Sequence, residues 1–353
     1  MTLNKYNNDG EFPVAAKTKT VYPLFMATNR KVTKTDLTED RSNTLSFFEC
    51  KADCPLTKID SWTKLSGDDF VKRLRAVANT FPPTPAQVAA EAGKPVLADE
   101  DHPLQQHLSL FVHGYNNSWQ DAVKRYAQIK AELYDKRELG ALVLYTWPSN
   151  GTSAGYLPDR EDARASGEQT ADLFTALHDI VLKNEVVAAD TGDAMKRCRA
   201  KISIIAHSMG NYIVQKGLAV AARRLNSPQL ITLIHQLAMV AADVDNDLFQ
   251  KDQAETSDGS LMANLCYRIG ALYTGLDNVL GASAGLKHFG KRRLGRSGLA
   301  DRNNVYDNVF DADVSNLIIQ KNIHSAVFDS PKAMDFLEGV LRGYDRKHIE
   351  KAA

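Results

Sequence analysis

The chain has 353 residues, 44% of them hydrophobic and 24% charged, and its 43 Lys and Arg balance 43 Asp and Glu. That size suits one large α/β domain or two smaller ones with a buried core. Zero net charge argues against a global basic field for nucleic acid, and no run of about 18 apolar residues is present to span a membrane.

The opening residues, MTLNKYNNDGEF, lack the apolar stretch of a secretory signal, and residues 1–20 read as a loose polar arm. Cys50, Cys54, Cys198 and Cys266 are the cysteines. Cys50 and Cys54 could be half of a metal site or a disulfide, but no second Cys/His pair at zinc spacing follows, so free thiols in a cytoplasmic protein are favoured, with no metal and no cofactor. Residues 21–27 predict a first strand, placed at a sheet edge because of Pro23. Residues 45–49 read as a strand and 68–80 as a helix. A Pro- and Ala-rich connection then runs to Asp101. This divides the chain into an N-terminal extension, 1–104, and a catalytic core, 105–353.

From His107 the pattern is regular. Residues 108–112 read as a strand followed by His113-Gly114-Tyr115-Asn116-Asn117. Ser118 suits the cap of a helix over 119–137, with Val123, Tyr126, Ile129 and Leu133 on one face. Strands are predicted at 141–146, 231–242, 264–273 and 305–310. Helices are predicted at 163–184 and 331–341, the latter with a proline at its start. Such alternation predicts a doubly wound, mostly parallel sheet with helices on both faces.

The stretch KISIIAHSMGNYIVQKG, residues 201–217, organises the rest. An apolar strand meets a helical pattern at Ala206-His207-Ser208-Met209-Gly210. A serine at such an apex stands on a sharp corner above the sheet edge, which needs small residues two before and two after it. Ala206 and Gly210 supply them. The helix start at Met209 aims free N–H groups at the same point, which suits a developing oxyanion.

Serine nucleophiles need a base, an acid that orients the base, and oxyanion donors. His324 lies after the last predicted strand and before the last helix, where the order Ser, acid, His places the base. Asp277 follows the strand at 264–273 and is favoured as the acid. Asp243, Asp245 and Asp247 follow the preceding strand and are its rivals. Asp277 also suits the N-cap of a helix at 279–284. The Met209 N–H and a second N–H, assigned to Tyr115 in the glycine loop, are the expected oxyanion donors.

In this order FVHGYNNSW, YTWPSNG, IIAHSMGN, AADVD and LYTGLDNVL resemble the α/β-hydrolase superfamily. More narrowly they are similar to a bacterial branch of hydrolases whose substrate is unassigned, as is FMATNR near residue 25. The likeness spans about residues 21–330. It departs at Ala242, where that branch more often has proline, and after His324, where an aromatic more often follows. The resemblance implies Ser208 as nucleophile, Asp277 as acid and His324 as base. His113, Gly114, His207 and Trp147, inside these motifs, are expected to contact substrate. The expected activity is that of a serine esterase on a small-molecule ester. The competing reading is a binding protein on a retired hydrolase fold. One local feature stands apart: residues 285–298, GLKHFGKRRLGRSG, carry five Lys and Arg among glycines. They read either as a solvated loop or as a mobile flap that favours anionic substrates.

Overall fold

The computed structural model describes residues 21–51, 53–83, 87–89, 92–93, 105–151, 155–193, 196–225, 232–318 and 323–344. The polar arm at 1–20, most of the Pro- and Ala-rich connection, and Asn322 beside the candidate base lie outside these residues.

The strands are β1 (Leu24–Val32), β2 (Leu37–Cys50), β3 (Thr63–Leu65), β4 (His107–Val112), β5 (Gly140–Thr146), β6 (Lys201–His207), β7 (Ile234–Val240), β8 (Cys266–Tyr273) and β9 (Val309–Asp313). Among the described residues they form one sheet in the order β3-β2-β1-β5-β4-β6-β7-β8-β9. Pairing is parallel from β1 through β9 and antiparallel only at β1–β2 and β2–β3. This is the predicted α/β architecture. β4, β5 and β6 are buried almost throughout, as strands covered on both faces must be, and their sequences are correspondingly near-continuous apolar runs.

The helices are α1 (Gly67–Asn79), α2 (Trp119–Ile129), α3 (Tyr156–Ala165), α4 (Gly167–Thr191), α5 (Gly210–Leu225), α6 (Asp258–Leu265), α7 (Asn278–Ala282), α8 (Leu294–Ser297) and α9 (Pro331–Leu341). Ser118 caps α2 by accepting from the Asp121 N–H at 3.1 Å, as its position predicts. Ile213, Val214 and Leu218 of α5 are buried against the sheet, each worth about 1.5–3 kcal/mol of apolar burial. That packing holds the helix whose first turn faces the serine.

Several expectations are corrected. The first strand is interior, since β1 pairs with β2 on one side and β5 on the other. Pro23 precedes β1, so its missing N–H costs the ladder nothing. The helix expected at 163–184 is two helices that meet at Ser166, and the strand expected from 264 begins with the end of α6. The last strand sits four residues later than predicted, at Val309–Asp313. Cys50 and Cys54 are not free thiols. A turn closed by the Cys54 N–H on the Lys51 carbonyl brings their Cα atoms to 6.3 Å, and they form a disulfide. Cys198 and Cys266 are free and buried.

Candidate active site

Ser208 follows β6 and precedes α5, at the carboxyl ends of the parallel strands. Its φ is +51°, a left-handed conformation that costs a non-glycine residue about 1–3 kcal/mol and survives only where surroundings enforce it. They do so here. The Ser208 N–H donates to the Val240 carbonyl at 3.0 Å. The Ser208 carbonyl accepts from the backbone N–H groups of Asn211 and Asp243, each at 3.1 Å. Asn211 Nδ2 donates to the carbonyls of Ala206, Ser208 and, more weakly, Val240. A Cβ at Gly210 would stand 2.5 Å from the Val112 carbonyl oxygen and 2.6 Å from that of His113, so only glycine lets the helix approach β4 this closely.

The three residues chosen on position meet. His324, in the turn Ile323–Phe328, places Nε2 2.8 Å from Ser208 Oγ and Nδ1 2.7 Å from Asp277 Oδ2. A carboxylate only accepts, so Nδ1 carries the proton and Nε2 is left to accept the serine hydroxyl. Asp277 is fully buried and does two jobs at once. Oδ2 holds the imidazole while Oδ1 accepts from the Leu280 N–H at 2.9 Å and caps α7. Its two sequence readings, acid and N-cap, are compatible because each uses a different oxygen.

The rival acids are spoken for. Asp243 is buried, with Oδ2 accepting from Tyr156 Oη at 2.8 Å and Oδ1 from Ser283 Oγ at 3.0 Å and Arg293 Nε at 2.9 Å. Burial alone would raise its pKa, but Arg293, Arg160 and the Tyr156 hydroxyl outweigh burial and hold it below the usual range. Asp245 takes Arg293 Nη1 and Lys291. Residues 291–298 are therefore packed into the fold, with backbone bonds from Leu294 to Val244 and from Gly295 to Ala242, and do not form a loose flap.

A cleft of about 470 Å³ opens beside His324, and His113, Gly114, Tyr115, His207 and Val279 are among its other walls. Asn116, Asp121, Lys124, Arg125 and Gln128 add polar side chains to that wall, and Phe111 adds an apolar one. Trp147, expected to contact substrate, is fully buried instead. It stacks on His113 at 5.4 Å and donates from Nε1 to the His113 carbonyl, so it supports the glycine loop from behind. The loop lies against the elbow, since a Cβ at Gly114 would come within 2.8 Å of Ser208 Cβ.

Two histidines of the site are held neutral. Burial lowers the pKa of His207 to about 3, helped by the neighbouring His324. Its Nε2–H donates to the His324 carbonyl at 3.0 Å, which fixes that turn. Burial and then Arg30 lower His113 to about 3. His113 Nε2 accepts from the Trp147 N–H, so its proton is on Nδ1 and is donated to the Gly114 carbonyl at 2.8 Å.

Arg30 and Asn211 were not singled out from the sequence. Arg30 is almost fully buried at the end of β1, donates to Thr146 Oγ1 at 3.1 Å, and holds the Asn117 and Ser149 carbonyls at 3.0 and 3.2 Å. An arginine closing an apolar strand run was the available signal. No sequence pattern announces a side-chain amide gripping three carbonyls.

A parallel sheet with a serine elbow at the end of a central strand defines an α/β hydrolase. The chain belongs to the family described as alpha/beta hydrolase of unknown function (DUF900), whose model matches residues 91–335. That membership supports hydrolase chemistry. A search of curated proteins gives no match. Two crystal structures of the Pyrococcus horikoshii acylaminoacyl peptidase, one in an orthorhombic form and one uncomplexed, are distantly similar. The first has 13% identity and a TM-score of 0.33, covering 92% of this chain and 52% of that one. The second has 15% identity and a TM-score of 0.30, covering 91% and 53%. This chain thus spans about half the length of those structures, and likeness at that level says nothing of its substrate. No helix among the described residues is long and apolar enough to cross a membrane.

Proposed function

We propose that the protein is a serine hydrolase that cleaves small, polar carboxylic esters through an acyl-enzyme on Ser208. The observation that carries this reading is the unbroken relay from Asp277 Oδ2 through His324 to Ser208 Oγ, at 2.7 and 2.8 Å, on a residue held at φ +51°.

In this mechanism Ser208 Oγ attacks the ester carbonyl carbon as its proton passes to His324 Nε2. The carbonyl π pair moves onto oxygen, where the N–H groups of Met209 and Tyr115 receive it. Collapse breaks the bond to the leaving alcohol, which takes the proton from His324. Water, deprotonated by the same imidazole, then releases the acid and restores Ser208. Asp277 holds the Nδ1–H tautomer and stabilises the imidazolium. Neutral His207 matters here, because a second cation 5.0 Å from His324 would oppose that imidazolium. The cleft's size and its mixed polar and apolar lining suit a small substrate with a polar part.

The alternative, a binding protein on an inactive hydrolase fold, predicts no reaction with a fluorophosphonate probe. Our reading requires labelling of the wild type and none of Ser208→Ala. An unlabelled, folded wild type would rule it out.

A further inference from the structure

A second cavity, of about 480 Å³, lies against another face of the helix that follows Asp277. Asn278, Gly281 and Ala282 form one wall, and Arg292, Arg293 and Arg296 face them. No carboxylate side chain is among its lining residues. The three arginines are not equivalent. Arg293 is fully buried, and its charge is met by Asp243 and Asp245. Lys291 sits on Asp245 and Asp247, at 3.3 and 3.9 Å, so those carboxylates are also engaged. Arg296 lies flat on the helix, where a Cβ at Gly281 would overlap its guanidinium, and gives one N–H to the Asp277 carbonyl at 2.6 Å. A guanidinium has five N–H donors, so others remain for a ligand. Arg292 is exposed, and among the described residues it forms no ion pair.

We propose that this cavity is an oxyanion site for a phosphate group. Two guanidiniums without carboxylate partners converge on it, with the neutral donors of Asn278 and Ser297 beside them. Forked, weakly hydrated guanidiniums bind phosphate by paired charge-assisted hydrogen bonds. The site is separate from the substrate cleft. Asn278 lines this cavity while the next residue, Val279, lines the other. Arg296 bridges the two, because the carbonyl it holds belongs to the residue that orients His324. Occupancy therefore bears on the relay from Asp277 to Ser208, a consequence that rests on the hydrolase reading, whereas binding itself does not. The phosphate is either free or the headgroup of an anionic lipid. The exposed side chains of Leu276 and Phe289 bracket this segment and suit the second source.

The test uses the full chain at low salt. Inorganic phosphate is titrated by calorimetry against wild type and Arg292→Ala, and cosedimentation is measured with phosphatidylglycerol and with phosphatidylcholine vesicles. Arg292 is exposed, and an unchanged Tm will show that the variant folds. Saturable phosphate binding, weakened about tenfold or more in Arg292→Ala, identifies free phosphate as a ligand. Cosedimentation with phosphatidylglycerol alone, lost in Arg292→Ala, identifies a headgroup. Both signals should fade above about 0.1 M salt. Absence of both, or indifference of both to Arg292→Ala, overturns the site. Binding that leaves the rate of fluorophosphonate labelling unchanged overturns the link to Asp277.

Discussion

Replacing Gly114 by alanine puts one methyl group where the glycine loop meets the elbow. The new Cβ would stand 2.8 Å from Ser208 Cβ, 3.1 Å from His207 Nδ1 and 3.3 Å from the His207 carbonyl oxygen. Ordinary contact begins near 3.4 Å, so the loop must retreat by about 3.4 − 2.8 = 0.6 Å. It cannot retreat freely. His113 is clamped by Trp147 and Thr146, and Asn117 is held by Arg30 and Ser149. The strain falls on the Tyr115 N–H, the proposed second oxyanion donor. Misplacing such a group by up to 1 Å costs up to about 10²-fold, so Gly114→Ala should lower kcat by about 10- to 100-fold with a smaller change in KM. The assay is steady-state hydrolysis of p-nitrophenyl acetate, with Tm as the control for folding. A folded Gly114→Ala enzyme with wild-type kcat would refute the assignment of this loop to the oxyanion.

Ser208→Ala and His324→Ala should each cut kcat by about 10⁴ or more, and the double variant little further, since the groups act as a unit; stopped-time product assays read this. Asp277→Asn retains the cap on Leu280 but presents an N–H to His324 Nδ1, so kcat should fall about 10⁴-fold with Tm nearly unchanged. If Asp243→Asn is the variant that loses kcat and Asp277→Asn does not, the acid is misassigned. Arg293→Met strands two carboxylates, one of them buried, and should cost about 3–5 kcal/mol in urea unfolding. Burial lowers His113 and His207 to about 3, against about 6.5 unfolded, so the unfolded chain binds more protons below that value. Their neutral burial is thus fully tolerated above pH 6.5 and costs stability as pH falls towards 3, about 2 kcal/mol per histidine at pH 5. Unfolding free energies at pH 7 and 5 test this, and His207→Gln should reduce the difference between them by about 2 kcal/mol.

Local pattern accounts for what the sequence revealed. β4, β5 and β6 are interior parallel strands, so their apolar runs have one reading, and the elbow between β6 and α5 needs the small residues that its sequence carries. His324 could be placed because chain order in a parallel sheet brings successive loops to one edge. What stayed hidden depends on partners far along the chain. β2 is long and mostly polar because much of it faces water, so only its apolar end, 45–49, stood out. Ser166 divides α3 from α4 with a hydroxyl that accepts from Asn29, 137 residues earlier. Asp243 looked like an acid poised after a strand until Arg293, 50 residues on, met it.

The placement of Asp243 gives the rival acid a role in the proposed site other than orienting the base. Its backbone N–H supports the Ser208 carbonyl at 3.1 Å, so its position is part of what keeps the serine in its left-handed corner. A buried carboxylate at that place must be neutralised, and Arg293 does so from the basic segment. The same segment continues to Arg296, which holds the carbonyl of Asp277. One stretch of eight residues, 291–298, therefore braces both ends of the relay, the corner that presents the proposed nucleophile and the turn that presents the proposed acid. Arg293 and Arg296 serve geometry at Asp243 and Asp277, but among the described residues only Arg293 is neutralised by carboxylates, which leaves Arg292 and the remaining N–H groups of Arg296 available to a ligand.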